Sequence, residues 1–159
     1  MIRLAVEADL PRLGEVFDDA RAFMRANGND VQWTDGYPRQ QVLLEDIRAG
    51  QLYVIEEAGR VCACFMLAAG PDPTYEVIFD GSWGADKPYG VIHRVASDGS
   101  CRGVVAQVVA FAQQYFDYLR IDTHEKNIPM QQAVKRLGFT CRGGIYTHDG
   151  TPRIAFDRV

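Results

Sequence analysis

Apolar residues change their spacing several times along this chain, and each change marks an element. Residues 2–6 alternate as a short strand. The spacing then becomes helical: Leu13, Val16, Phe17, Ala20, Phe23 and Met24 share one face. Asp9 is the expected N-cap of this helix, Pro11 lies in its first turn, and Asn27-Gly28-Asn29-Asp30 ends it. A second helix is predicted over 38–49, with Val42, Leu43 and Ile47 inward and Gly50 as its stop. Residues 52–56 and 60–69 read as a hairpin around Ala58-Gly59. Gly70-Pro71-Asp72-Pro73 then breaks the chain. Residues 74–88 are irregular, with Tyr75, Phe79, Trp83 and Tyr89 in or beside them. These aromatics either wall a small-molecule pocket or cover a sheet edge.

The second half alternates strand and helix. A strand is predicted at 89–97 and a helix at 103–118, with Val105, Val108, Val109, Ala112 and Phe116 on one face. A strand at 119–123 precedes a helix at 128–137, which turns Met130, Ala133, Val134 and Leu137 inward before Gly138. Strands at 139–146 and 153–156 close the chain around His148-Asp149-Gly150. The order is β-α-α-β-β-β-α-β-α-β-β. With no repeat, linker or low-complexity segment, it reads as one α/β domain over 1–159.

Composition narrows the function classes. The chain is 47% hydrophobic and 24% charged, enough for a packed core. Its net charge of −4 argues against nucleic acid as a partner and is compatible with a cationic amine. The opening MIRLAVEADLPRL carries acidic residues too early for a signal peptide, and no apolar run approaches the ~18 residues of a membrane span. Cys62 and Cys64 lie in an apolar run, would share one strand face, and read as core rather than as a disulfide or metal pair. A cytoplasmic protein without a metal is expected.

The strongest chemical signal is the turn Asp98-Gly99-Ser100-Cys101-Arg102-Gly103 between a strand and a helix. A turn rich in glycine at a helix N-terminus presents backbone N–H groups to an anion, and the helix dipole adds to the attraction. Two nucleotide motifs are excluded. A P-loop needs Lys-Ser/Thr after its last glycine, and here Val104-Val105 follow Gly103. A dinucleotide fingerprint needs three glycines, and only Gly99 and Gly103 are present.

The blocks VASDGSCRGVVAQ and THEKNIPMQQAVKRLGF carry a resemblance to the Gcn5-related N-acetyltransferase (GNAT) superfamily. The first is similar to that family's Arg/Gln-x-x-Gly/Ala-x-Gly/Ala turn, with Val95-Ala96-Ser97 at the strand end and Arg102-Gly103 opening the motif. In the second, Asn127 stands twelve residues before Phe139, as in the family. The element order agrees from end to end. The resemblance implies a mixed central sheet of seven strands flanked by four helices, and transfer of acetyl from acetyl-CoA to the amine of a small molecule or peptide. Many members of that family are homodimers, but no feature of this sequence fixes a subunit interface. There are departures. Val105 and Gln107 stand where the family prefers small residues, and Val134 stands where it often has the tyrosine that protonates the leaving thiolate.

By that resemblance, Val95, Ala96 and Ser97 bind pantetheine through their backbone. Arg102, Gly103, Val104, Val105, Ala106 and Gln107 cradle the pyrophosphate, and Asn127 bonds the cofactor with its amide. Asn127 also precedes Ile128-Pro129 and suits a helix N-cap. His93, on the strand before the turn, is the candidate base, with Glu76 as a second. Tyr146 is the candidate acid. Arg94 points away from His93 and needs a carboxylate such as Asp122. His124-Glu125 does not make a zinc-binding HExxH, because Ile128 stands at the second histidine position. Two other functions fit the same residues: a CoA-binding regulatory module without turnover, and a structural α/β interaction domain.

Overall fold

Seven strands and four helices form in the predicted order in a computed structural model that describes residues 1–159 throughout. They are β1 (Ile2–Leu4), α1 (Leu10–Ala26), α2 (Gln40–Arg48), β2 (Leu52–Glu57), β3 (Arg60–Ala69), β4 (Gly90–Ser97), α3 (Val104–Ala112), β5 (Leu119–Thr123), α4 (Ile128–Arg136), β6 (Thr140–Tyr146) and β7 (Pro152–Arg158). Short 3-10 turns at Glu7–Asp9 and Pro73–Tyr75 complete the list. The sheet is mixed, in the order β1-β2-β3-β4-β5-β7-β6. β4 and β5 are parallel, which requires the crossover through α3. β1–β2, β2–β3, β5–β7 and β6–β7 are antiparallel.

The chain divides into two compact units, Met1–Leu67 with Arg94–Val104, and Ala68–His93 with Val105–Val159. In the first, α1 buries Leu13, Val16, Phe17 and Ala20 against Leu43, Leu52, Val54 and Cys64. The helical stripe ends there, and Phe23 at its far end is 56% exposed. Asp9 does not cap α1. Its carboxylate accepts two bonds of 2.9 Å from the Arg3 guanidinium and one of 2.8 Å from the Val6 N–H, tying β1 to the chain that enters α1. Arg3 offers a fixed fork of donors, so it outcompetes a helix end for the carboxylate.

One register detail departs from simple alternation. Ile55 pairs with Ala63, but Glu56 pairs with Val61, so Cys62 is the extra residue of a bulge. A one-residue bulge flips the faces of a strand beyond it. Val61 therefore packs in the same cluster as Cys64, while Cys62, expected to share its face, is absent from that cluster.

In the second unit, α3 stops at Ala112 rather than running to 118. Its continuation tightens through Gln114 N–H to Phe111 O and Tyr115 N–H to Ala112 O. The Phe116 ring then lies so close over Gly90 that a Cβ there would meet it at 2.5 Å. β7 supplies the central polar anchor. Asp157 is fully buried and accepts from Tyr118 Oη at 2.6 Å, Arg142 Nε at 2.6 Å and Gly84 N–H at 2.7 Å. Arg120 lies nearby in sequence to Tyr118, its guanidinium 4.0 Å from the Tyr89 ring centre and 4.2 Å from that of Trp83. Trp83 and Tyr89 are thus partners of a buried cation and pack on the Tyr75, Val91, Ile145 and Ala155 cluster.

Removing the Asp157 carboxylate strands three donors at once. Asp157→Ala is expected to destabilise the protein by roughly 3 kcal/mol, read as a lower urea midpoint. A midpoint equal to that of the parent would show that the three donors find other partners.

Candidate active site

Parallel pairing of β4 with β5 runs over Gly90–Ile92 and Leu119–Ile121 and stops there. His93 and Asp122 are the next residues on each strand. Asp122 continues to pair with Ala155 of β7, so it is fixed from the other side. The His93 imidazole then meets two carboxylates. Its Nε2 is 2.7 Å from Asp72 Oδ2, and its Nδ1 is 3.7 Å from Asp122 Oδ1. An ionised carboxylate only accepts, so the short contact places the ring proton on Nε2. At 3.7 Å the second contact is too long for a hydrogen bond. The Asp122 oxygen is instead taken by the Tyr75 hydroxyl, which donates at 2.8 Å. With a single proton on the ring, the lone pair is then on Nδ1, the arrangement of a base oriented by an acid behind it.

Asp72 is itself held firmly. Its Oδ1 accepts from the Thr74 N–H at 2.9 Å and the Thr74 hydroxyl at 2.7 Å, and its own N–H donates to Tyr89 Oη at 2.9 Å. Burial pushes its pKa up, but the His93 and Thr74 hydrogen bonds outweigh that and bring it down to about 2. Tyr75 is fully buried. Desolvation, with Asp122 adding to it, raises its phenol well above the usual value, so it is a donor and not a base. Sequence reasoning read Gly70-Pro71-Asp72-Pro73 only as a break. The aspartate between two prolines, on a strand exit, was the available signal.

The other expected site residues are placed as follows. Arg94 does not pair with Asp122. It binds Asp46 of α2 through Nε at 2.7 Å and Nη2 at 2.9 Å, and reaches the Tyr37 hydroxyl at 3.2 Å. Its φ of +52° is left-handed, which turns its side chain away from a simple alternating path. Glu76 is exposed at the end of the Pro73–Tyr75 turn and bonds no residue of the His93 group. Tyr146, at the end of β6, is 52% exposed and stacks on Phe79 with ring centres 4.6 Å apart. The Val134 side chain is fully buried in α4. Phe79, His124, Glu125, Arg153 and the Gly143-Gly144 backbone line a cavity of about 350 Å³. His124 Nδ1 accepts the Lys126 N–H at 3.0 Å, and burial lowers its pKa, with Arg153 adding to the effect.

In the first unit, the anion turn has the expected frame. Gly99 and Gly103 are left-handed at φ +86° and +62°, and α3 begins at Val104. Two of its N–H groups are used inside the turn, Gly99 by Ser97 Oγ at 3.0 Å and Ser100 by Asp98 Oδ1 at 2.8 Å. Asp98 is anchored by Arg12. Of the strand end before the turn, Ala96 is buried while Val95 and Ser97 are half-buried. Arg102, Gly103 and Ala106 are exposed, and Val105 and Gln107 half-buried, over the first turn of the helix. Asn127 caps α4, its Oδ1 accepting the Met130 N–H at 3.2 Å.

Solved structures match this mixed seven-stranded sheet, with β4 and β5 parallel, along the whole chain. A GNAT-family acetyltransferase from Streptococcus agalactiae 2603 superposes with a TM-score of 0.88 at 30% identity, over 100% of this chain and 94% of that one. A GNAT-family acetyltransferase from Listeria monocytogenes 4b F2365 gives 0.70 at 19% identity, over 99% and 93%. AAC(6')-Ib, solved with parmomycin and acetyl-CoA, gives 0.69 at 18% identity, over 100% and 92%. No protein-family model and no curated protein matches the chain in sequence. On its full-length likeness to the streptococcal protein, the chain belongs to the GNAT family of acetyltransferases and is an acyltransferase.

The Asp72 carboxyl gives a pH signature. Its folded pKa of about 2 lies below the ~3.9 of an unfolded aspartate. Its stabilising contribution is therefore complete above about pH 4 and is lost as pH falls towards 2. Asp72→Asn is expected to flatten stability against pH across that window, measured by denaturant unfolding. An acid limb as steep as in the parent would assign it to other carboxylates.

Proposed function

We propose that this protein transfers the acetyl group of acetyl-CoA to the primary amine of a small molecule or peptide, by direct attack in a ternary complex. The observation that carries the reading is the 2.7 Å bond between Asp72 and His93 Nε2, which leaves Nδ1 as the proton acceptor. His93 Nδ1 takes a proton from the substrate ammonium, directly or through one water. The amine nitrogen then bonds the thioester carbonyl carbon, the C–S bond breaks, and the CoA thiolate leaves and is protonated. Asp72 balances the imidazolium that forms. Tyr146 is proposed as the hydroxyl that meets the thiolate, and Glu76 as an exposed charge that attracts the ammonium. Val95, Ala96 and Ser97 are proposed to hold pantetheine by their backbone. Arg102 to Gln107 are proposed to hold the pyrophosphate at the start of α3, with Asn127 adding an amide. The chain would then be one GNAT domain over 1–159. The neighbour solved with acetyl-CoA supports the choice of donor, and the net charge of −4 suits a cationic acceptor.

The buried Val134 in the usual tyrosine position keeps a second reading in play, a CoA-binding module without turnover. Acetyl-CoA is expected to raise the melting temperature in either case. A panel of amines, followed by release of free CoA thiol, separates the two. His93→Ala is expected to lower kcat by about 10²–10⁴-fold while leaving CoA affinity unchanged. Equal turnover in that variant removes His93 as the base. Retained CoA binding with no acetylated amine in the parent favours the module.

A further inference from the structure

The bulge in β3 produces a second cluster of reactive side chains that acetyl transfer does not use. It turns Cys62 out of the α1-facing core. The Asp98 N–H donates to Cys62 O at 2.9 Å and brings the anion turn over it. Cys101 of that turn thereby comes close to Cys62, whose own thiol donates to Ile55 O at 3.5 Å. Glu57, on the other arm of the β2–β3 hairpin, completes the group. Cys62 Sγ, Cys101 Sγ and a Glu57 carboxylate oxygen all lie within 4.8 Å of one another. Both thiols are free and buried, and the carboxylate is exposed. All three residues belong to the first compact unit.

From this geometry we infer that Cys62, Cys101 and Glu57 form a binding site for one thiophilic divalent cation of the zinc class. Two thiolates and one carboxylate are a donor set for such an ion and a poor one for magnesium or calcium, which take oxygen ligands. Tetrahedral coordination at ordinary Zn–S and Zn–O lengths puts two sulfurs about 3.8 Å apart and a sulfur about 3.6 Å from the oxygen. The three atoms therefore need to close by about 1.2 Å at most. The Glu57 side chain is exposed and has the rotamer freedom to do this. Solvent on its side supplies a water as fourth ligand. Binding forms two metal–sulfur bonds and one metal–oxygen bond, and both thiol protons leave to solvent. The sulfurs bind metal as thiolates, so uptake is favoured by rising pH.

The test is independent of acetyl transfer. Reduced, oxygen-free protein is titrated with Cd²⁺, and the thiolate-to-metal charge-transfer absorption is followed. The expected result is saturation at one ion per chain with the intensity of two thiolates, and displacement by excess Zn²⁺. Cys62→Ser and Cys101→Ser are each expected to lose the two-thiolate band. Glu57→Gln is expected to weaken binding about ten-fold or more. Cys141→Ser is expected to leave the titration unchanged. The inference is overturned by the absence of a band, by a two-thiolate band that survives Cys101→Ser, or by one that disappears in Cys141→Ser. Should Cys62→Ser fail to fold by circular dichroism, Cys101→Ala and the stoichiometry of the parent protein decide the matter.

Discussion

A left-handed arginine in the middle of a strand governs this structure. β4 pairs with β5 in register for three residues, and two residues after the last pair Arg94 adopts φ +52°. For a residue with a Cβ this conformation costs on the order of 1–2 kcal/mol. The cost is offset by the bidentate clamp of Asp46, a charge-assisted pair on a planar fork, with the Tyr37 hydroxyl beside it. The boundary between the two compact units falls at this same peptide, between His93 and Arg94. His93 is thus the last residue of β4 that belongs with β5, and its imidazole stands where ladder pairing has ended.

Two aspartates of similar formal charge face that imidazole and do different things because their surroundings differ. Asp72 has each oxygen committed, to Thr74 and to His93, and stays ionised far into the acid range. Asp122 receives the Tyr75 hydroxyl and keeps its distance from the ring. The first orients the imidazole and the second leaves its other nitrogen open. A buried phenol is what separates the two roles, since Tyr75 cannot ionise at neutral pH and remains a donor.

Strands and helices were legible because periodicity and turn chemistry are local. The Ala58-Gly59 hairpin, the Gly50 stop, the strand at Leu119–Thr123 and the Asn127 cap each follow from a few adjacent residues. His93 stood out by its type and its strand, and the structure puts it beside two carboxylates. What escaped were pairings between distant segments. Asp72 lies 21 positions from His93, and Asp46 lies 48 positions from Arg94. The same holds for Asp9, whose carboxylate followed Arg3 rather than its own helix. The bulge at Cys62 was hidden for another reason, because an apolar run with small residues on both faces gives no alternation to break.

The loop between the Pro73–Tyr75 turn and β4 is pinned at scattered points. Trp83 Nε1 donates to Tyr75 O at 2.9 Å, Gly84 N–H reaches Asp157, and Ala85 O accepts from Arg120 at 3.0 Å. Between and around these pins, Glu76, Val77, Asp80, Asp86 and Lys87 face solvent. Anchorage and surface are therefore carried by different residues of one segment. Such a loop is free to diverge: its outward positions can be exchanged through evolution, or randomised in the laboratory, at little cost to folding. None of these outward residues bonds Asp72 or His93, so that pair stays as it is while the outer face changes.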